Sequence, residues 1–178
     1  DVYKRQLLDD LKAKNLKILV HWDLVEPSPQ TFIFDDLDWQ IKEAEKRGAK
    51  VILVLGLKPG RWPECHWPSF SECEKLGSKC ESELFNYLKT IVLRYRDSKS
   101  VFAWQLENEP FFPFGVCPEI KEDVVKREIA LIKSLDQRPV IFGDSGEFSF
   151  WMKAAKLGDV VSITLHRKVY FKEIKQYL

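Results

Sequence analysis

The stretch FAWQLENEPFFPFG, residues 102–115, decides how the rest of the chain is read. A short apolar run ends in two carboxylates, Glu107 and Glu109, with the amide of Asn108 between them, then Pro110, Phe111, Phe112 and Phe114. Buried charge is costly unless it is paired or put to use. A chain folding for stability alone should avoid that pattern at the end of a core strand, so the carboxylates need a reason.

Working outward, apolar runs rich in β-branched residues alternate with helical patterns. LKILV (16–20), VILVLGL (51–57), VFAWQL (101–106), PVIFG (139–143) and VVSITL (160–165) read as strands. Residues 7–15 read as the end of a helix before the first strand. Leu37, Ile41 and Ala44 share one face of a helix capped by Asp35 or Asp36 and closed by Gly48. Leu84, Leu88, Ile91, Val92 and Tyr95 mark another, a third spans 118–135, and FSFWMKAAKL (148–157) a fourth. Strands separated by helices pair in parallel through right-handed crossovers.

Two architectures satisfy that order: a doubly wound open sheet, or part of an eight-stranded barrel. The long polar and aromatic loops all follow strands, as on the C-terminal face of a barrel. No GxGxxG or P-loop supports nucleotide binding. The expected fold is therefore α/β, a partial (β/α)8 TIM barrel of parallel strands.

The 178 residues are 45% hydrophobic with a formal net charge of +1, enough for one sizeable core and without the basic footprint of nucleic-acid binding. No apolar run approaches the roughly 20 residues of a membrane span. Cys65, Cys73, Cys80 and Cys117 contain no CxxC pair, which argues against structural zinc. Two disulfides in an exported or cell-surface enzyme are one reading, with Cys65–Cys117 and Cys73–Cys80 among three connectivities; free buried thiols are the other. DVYKRQ, residues 1–6, is the translation of GATGTGTATAAGAGACAG, which resembles a sequencing-library adapter. Those residues are expected to be an artefact, and 7–178 an incomplete catalytic domain.

The strand ends bring Trp22 and Glu26, then Arg61, Trp62, His66 and Trp67, then Asn108 and Glu109, then 144–147, then His166 and Arg167 towards one rim. Aromatic faces beside carboxylates and polar donors suit a sugar, which has an apolar C–H face and a polar edge. LENEP at a strand end, with HWDLVEP before it and GRWPECHWP between, resembles the clan A glycoside hydrolases. These are (β/α)8-barrel retaining glycosidases that include many cellulases and β-galactosidases. The resemblance covers nearly all of residues 7–170 and makes the five strands numbers two to six of the barrel.

The resemblance implies that Glu109 is the general acid/base and Asn108 the anchor of the sugar 2-hydroxyl. Trp22, Trp62, His66 and His166 are the expected substrate contacts, and Glu26 is expected to order its loop. The clan's nucleophile is a glutamate at the end of the seventh strand, which would lie beyond Leu178, so the chain alone is expected to be inactive. Retaining cleavage needs one carboxyl to protonate the leaving oxygen and a second to form the glycosyl-enzyme. Trp104, Phe111, Phe112 and Phe114 would give the acid the desolvated setting that keeps a carboxyl protonated near neutrality. Glu107 is expected to pair with Arg61 or another base beneath the site.

The mechanism requires no cofactor and no metal, and the expected partner is an oligosaccharide or polysaccharide with β linkages. A carbohydrate-binding barrel that lost its nucleophile is the alternative. GDSG (143–146) imitates the nucleophile segment of trypsin-like proteases, but its flanks are strand then helix and GxSxG is absent. Ser145 is therefore expected to line a loop with Asp144 and Glu147.

Overall fold

β1 (Asn15–Leu19), β2 (Lys50–Leu55), β3 (Val101–Asn108), β4 (Val140–Ser145) and β5 (Val160–Thr164) line up in chain order as one parallel sheet. The computed structural model describes residues 2–146 and 149–165, and the backbone at Tyr170–Phe171 (β6) and Gln176–Tyr177 (β7), a short antiparallel pair. A doubly wound sheet reverses its strand order at a switch point. Here the order never reverses, so the sheet winds in one direction, as a barrel does.

The connections are α1 (Val2–Asp9), α2 (Trp22–Val25), α3 (Asp35–Lys46), α4 (Ser78–Tyr95), α5 (Glu122–Leu135) and α6 (Ala154–Leu157). α3 buries Leu37, Ile41 and Ala44, and α4 buries Leu84, Leu88, Ile91, Val92 and Tyr95, so the helical spacing is realised. In β2, Val51, Leu53, Val54 and Leu55 are all buried, as a covered parallel strand requires. Gly48 ends α3 in the left-handed region at φ +63°, its amide on Glu45 O at 3.1 Å.

Several boundaries differ from the sequence-based expectation. Asp35 and Asp36 lie inside the first turn of α3 after Phe34, which makes no side-chain cap, so they act through the helix dipole. α1 stops at Asp9, where Arg47 grips the carboxylate at 2.6 Å. α5 starts at Glu122, because the chain before it is tied at Cys117 to Cys65. The fourth helix shrinks to Ala154–Leu157, since Trp151 takes φ +57° and Ser149 is drawn to Asp144. The disulfides are Cys65–Cys117 and Cys73–Cys80, which settles the connectivity.

Candidate active site

β3 carries the site because it is broken at its end. Glu107 takes φ +56°, and the register with β4 slips between Leu106 and Asn108. Such a bulge turns a side chain away from its alternating direction. The Glu107 carboxylate consequently lies back over the end of β2, where it accepts the amides of Leu57 at 2.8 Å and Lys58 at 2.6 Å. Gly56 leaves room for it: at φ +117° a Cβ there would stand 2.4 Å from the Glu107 carboxyl carbon. Of the expected pairing of Glu107 with Arg61 or another base, the hydrogen-bonding part falls to main-chain amides, and the nearby positive charge is that of Lys58.

Behind Glu107 lies Glu128 of α5, 0% exposed, with no partner of ordinary hydrogen-bond geometry for either carboxyl oxygen. Burial raises both carboxyls. The two amides pull Glu107 back, while the charge on Glu107 pushes Glu128 further up, so Glu128 holds the proton of the pair.

One residue on, the Asn108 amide donates to Lys58 O at 2.7 Å. Glu109 also takes a left-handed conformation, φ +49°, and its amide donates to Gly143 O of β4 at 3.1 Å. Left-handed conformations in non-glycine residues carry strain that a surrounding structure must hold, and they gather at functional sites. The holder here is Lys58, whose Nζ donates to Glu109 O at 3.0 Å and Phe112 O at 2.7 Å. Burial lowers the Lys58 ammonium, opposed by the carboxylates of Glu64, Glu109 and Glu107. The Glu109 side chain is 9% exposed and accepts the Thr164 hydroxyl at the end of β5.

The phenylalanines divide their work. Phe111 packs on Phe142 in the core, while Phe112 stacks on Phe114, whose ring meets Trp62 edge to face at 6.4 Å. Trp62 is 69% exposed and presents a stacking surface. Trp22 does not: its indole is 0% exposed, lies on Tyr87 at 5.4 Å, and donates to Glu26 at 2.7 Å. The expectation that Trp22 touches sugar is corrected accordingly, since the turn of α2 folds it under the rim. Glu26 also accepts the Gln30 amide at 3.0 Å and so orders its loop.

His66 is 8% exposed, stacked on His21 with ring centres 3.7 Å apart, its Nε2 at 3.2 Å from Arg61 O. That packing leaves it little surface for the sugar contact expected of it. His166 lies outside the described residues, as do Glu147 and Arg167. Asp144 accepts the Ser145 amide at 2.8 Å and the Ser149 hydroxyl at 2.5 Å, which makes it a loop anchor and gives no support to a serine nucleophile.

Lys58, Glu128, Thr164 and Gly56 belong to the site although sequence reading passed over them. Glu128 had a signal: it sits in the stripe of Val124, Val125, Ile129 and Ile132, one polar residue on an apolar helix face. Gly56 interrupts the most apolar strand just before its loop.

Comparison with solved structures places the fold. The β-galactosidase of the psychrophilic Marinomonas ef1 aligns with 93% of this chain and 38% of its own at a TM-score of 0.69 and 13% identity. The chain is part of a clan A glycoside hydrolase barrel. In sequence it is 29% identical over 174 residues to the probable mannan endo-1,4-β-mannosidase F of Aspergillus flavus, covering 79% of this chain and 36% of that protein. The corresponding mannan endo-1,4-β-mannosidase F of Aspergillus fumigatus is 30% identical over 159 residues, covering 78% and 34%. The chain thus spans about a third of the length of the curated relatives it matches. No family model matches it.

Proposed function

We propose that this chain supplies the acid/base half of a retaining glycoside hydrolase acting on a β-linked polysaccharide. Glu109 protonates the leaving oxygen and then activates water, and Asn108 holds the sugar 2-hydroxyl. The observation that carries the reading is the Asn108–Glu109 pair at the C-terminal end of β3, with Glu109 in a left-handed conformation and both residues held by contacts to Lys58, just after β2, and to β4. Trp62 and Phe114 form an exposed aromatic ledge for a sugar face, and His166 is carried forward as a contact to the glycone. The nucleophile is assigned to a residue outside this chain.

β-1,4-mannan is the first substrate to test, on the strength of the fungal relatives. Two disulfides suit an oxidising compartment, which favours export.

The test is Glu109→Ala in the full-length protein, assayed on a polysaccharide and on an aryl glycoside with an activated leaving group. Loss of general acid catalysis should lower kcat on the polysaccharide by about 10²–10⁴. The aryl glycoside needs no proton for departure and should lose far less in the glycosylation step. Equal loss on both would refute the acid role.

A further inference from the structure

Neither imidazole of the His21–His66 pair has work in that mechanism. His21 follows β1 and His66 closes the loop after β2, their rings nearly parallel at 9°. Each ring meets the main chain. His66 Nε2 faces Arg61 O, and the Gly60 backbone lies against the His21 imidazole, whose Nε2 is buried without a hydrogen-bond partner. A ring nitrogen that donates to a carbonyl leaves the opposite nitrogen as a lone-pair acceptor.

His66 Nδ1 faces Asp23 Oδ1 at 3.8 Å, and that oxygen is also buried without a partner. One donor atom from each of His21, Asp23 and His66 lies within 4.8 Å of the other two. Among the described residues no hydrogen-bond donor reaches His21 Nε2 or Asp23 Oδ1. Converging buried acceptors of this kind call for a cation.

We propose that His21, Asp23 and His66 form a binding site for a divalent transition-metal cation of the zinc class. Two imidazoles and one carboxylate favour Zn²⁺, Co²⁺, Ni²⁺ or Cu²⁺ over Mg²⁺ and Ca²⁺. A carbonyl behind an imidazole, as Arg61 O stands behind His66, is the arrangement that fixes tautomer and ring direction in metal sites.

Metal–nitrogen bonds of about 2.0–2.1 Å require the three atoms to draw together and the rings to tilt out of their stack. Asp23, with 39% of its side chain exposed, has the freedom to close on the ion, and water completes the coordination. The ion would fasten the loop that carries Trp62 to the end of β1. This inference is independent of the glycosidase reading.

The test is Co²⁺ titration of the chelator-stripped full-length protein, followed by visible d–d absorption. The wild type should bind one more equivalent than His21→Gln or His66→Gln, Zn²⁺ should displace it, and His166→Gln should bind like wild type. Zn²⁺ should raise the thermal midpoint of the wild type and leave the His21 and His66 variants unmoved. If those variants fail to fold, Asp23→Asn at its partly exposed position carries the test, with affinity expected to fall about tenfold or more. Equal Co²⁺ uptake by wild type and all three variants, or no uptake by the wild type, would overturn the proposal. A raised KM in His66→Gln alongside a metal-free wild type would overturn it too, and would assign the acceptors to a sugar hydroxyl.

Discussion

Glu128→Gln should stabilise this protein at neutral pH and hardly at all in mild acid. Glu128 is fully buried against Glu107, and burial together with the Glu107 charge holds its carboxyl well above the ordinary glutamate value. A group whose pKa is raised on folding contributes its stability in full below the unfolded value and loses it as pH rises towards the folded one. At pH 7 the folded chain must keep a proton that the unfolded chain has released. That costs up to about 1.4 kcal/mol for each pH unit above the unfolded value. An amide at this position needs no proton and can donate to Glu107.

The quantity to measure is therefore the stability difference between variant and wild type at pH 7 minus the same difference at pH 4, from urea unfolding followed by tryptophan fluorescence. The expected value favours the variant and grows with each pH unit above the unfolded value, to the order of a few kcal/mol at neutrality. Taking the difference between two pH values removes any packing change common to both. A mutational effect that does not vary with pH would refute the assignment of the proton to Glu128.

Other expectations follow from the same contacts. Gly56→Ala forces a methyl into the Glu107 carboxylate at a positive φ, and thermal or urea denaturation should show a loss of about 3–5 kcal/mol from overpacking and backbone strain together. Replacing Cys65 and Cys117 by serine opens a loop with a sequence separation of 52 and should cost up to about 4 kcal/mol; the Cys73–Cys80 pair, separated by 7, should cost about 2 kcal/mol in the same assay. Trp62→Ala should raise KM and leave the unfolding midpoint near wild type. Trp22→Phe should do the reverse, losing about 1–3 kcal/mol as buried Glu26 loses its indole donor.

The strands were legible because each is a β-branched run with helical spacing on either side, and Glu109 stands out as a candidate because a carboxylate after Trp104–Leu106 has no reason to be there for packing. What escaped depends on the path of the chain between elements. Trp22 reads as a rim aromatic until α2 turns its indole onto Tyr87. Glu107 reads as one more charge in need of a base until the bulge aims it at two amides that no residue pattern encodes. Lys58 looks like loop polarity, yet its ammonium is spent on carbonyls brought in from β3's far end. The pairing of the cysteines was open among three until the loops were placed.

The way Glu109 is held separates two things that evolution or an engineer would want to change independently. Its backbone is gripped through amides, carbonyls and one lysine, so its placement owes almost nothing to the side chains of the surrounding loops. Residues 59–64, which carry Trp62, leave the clamp at Lys58 and return to it where Cys65 is bonded to Cys117 and the His66 amide meets Leu57 O at 2.9 Å. That segment is a cassette with fixed ends. If Glu109 acts as proposed above, exchanging that sequence should retune which sugar is recognised while Glu109 stays where it was, so new specificity can be explored without rebuilding the chemistry.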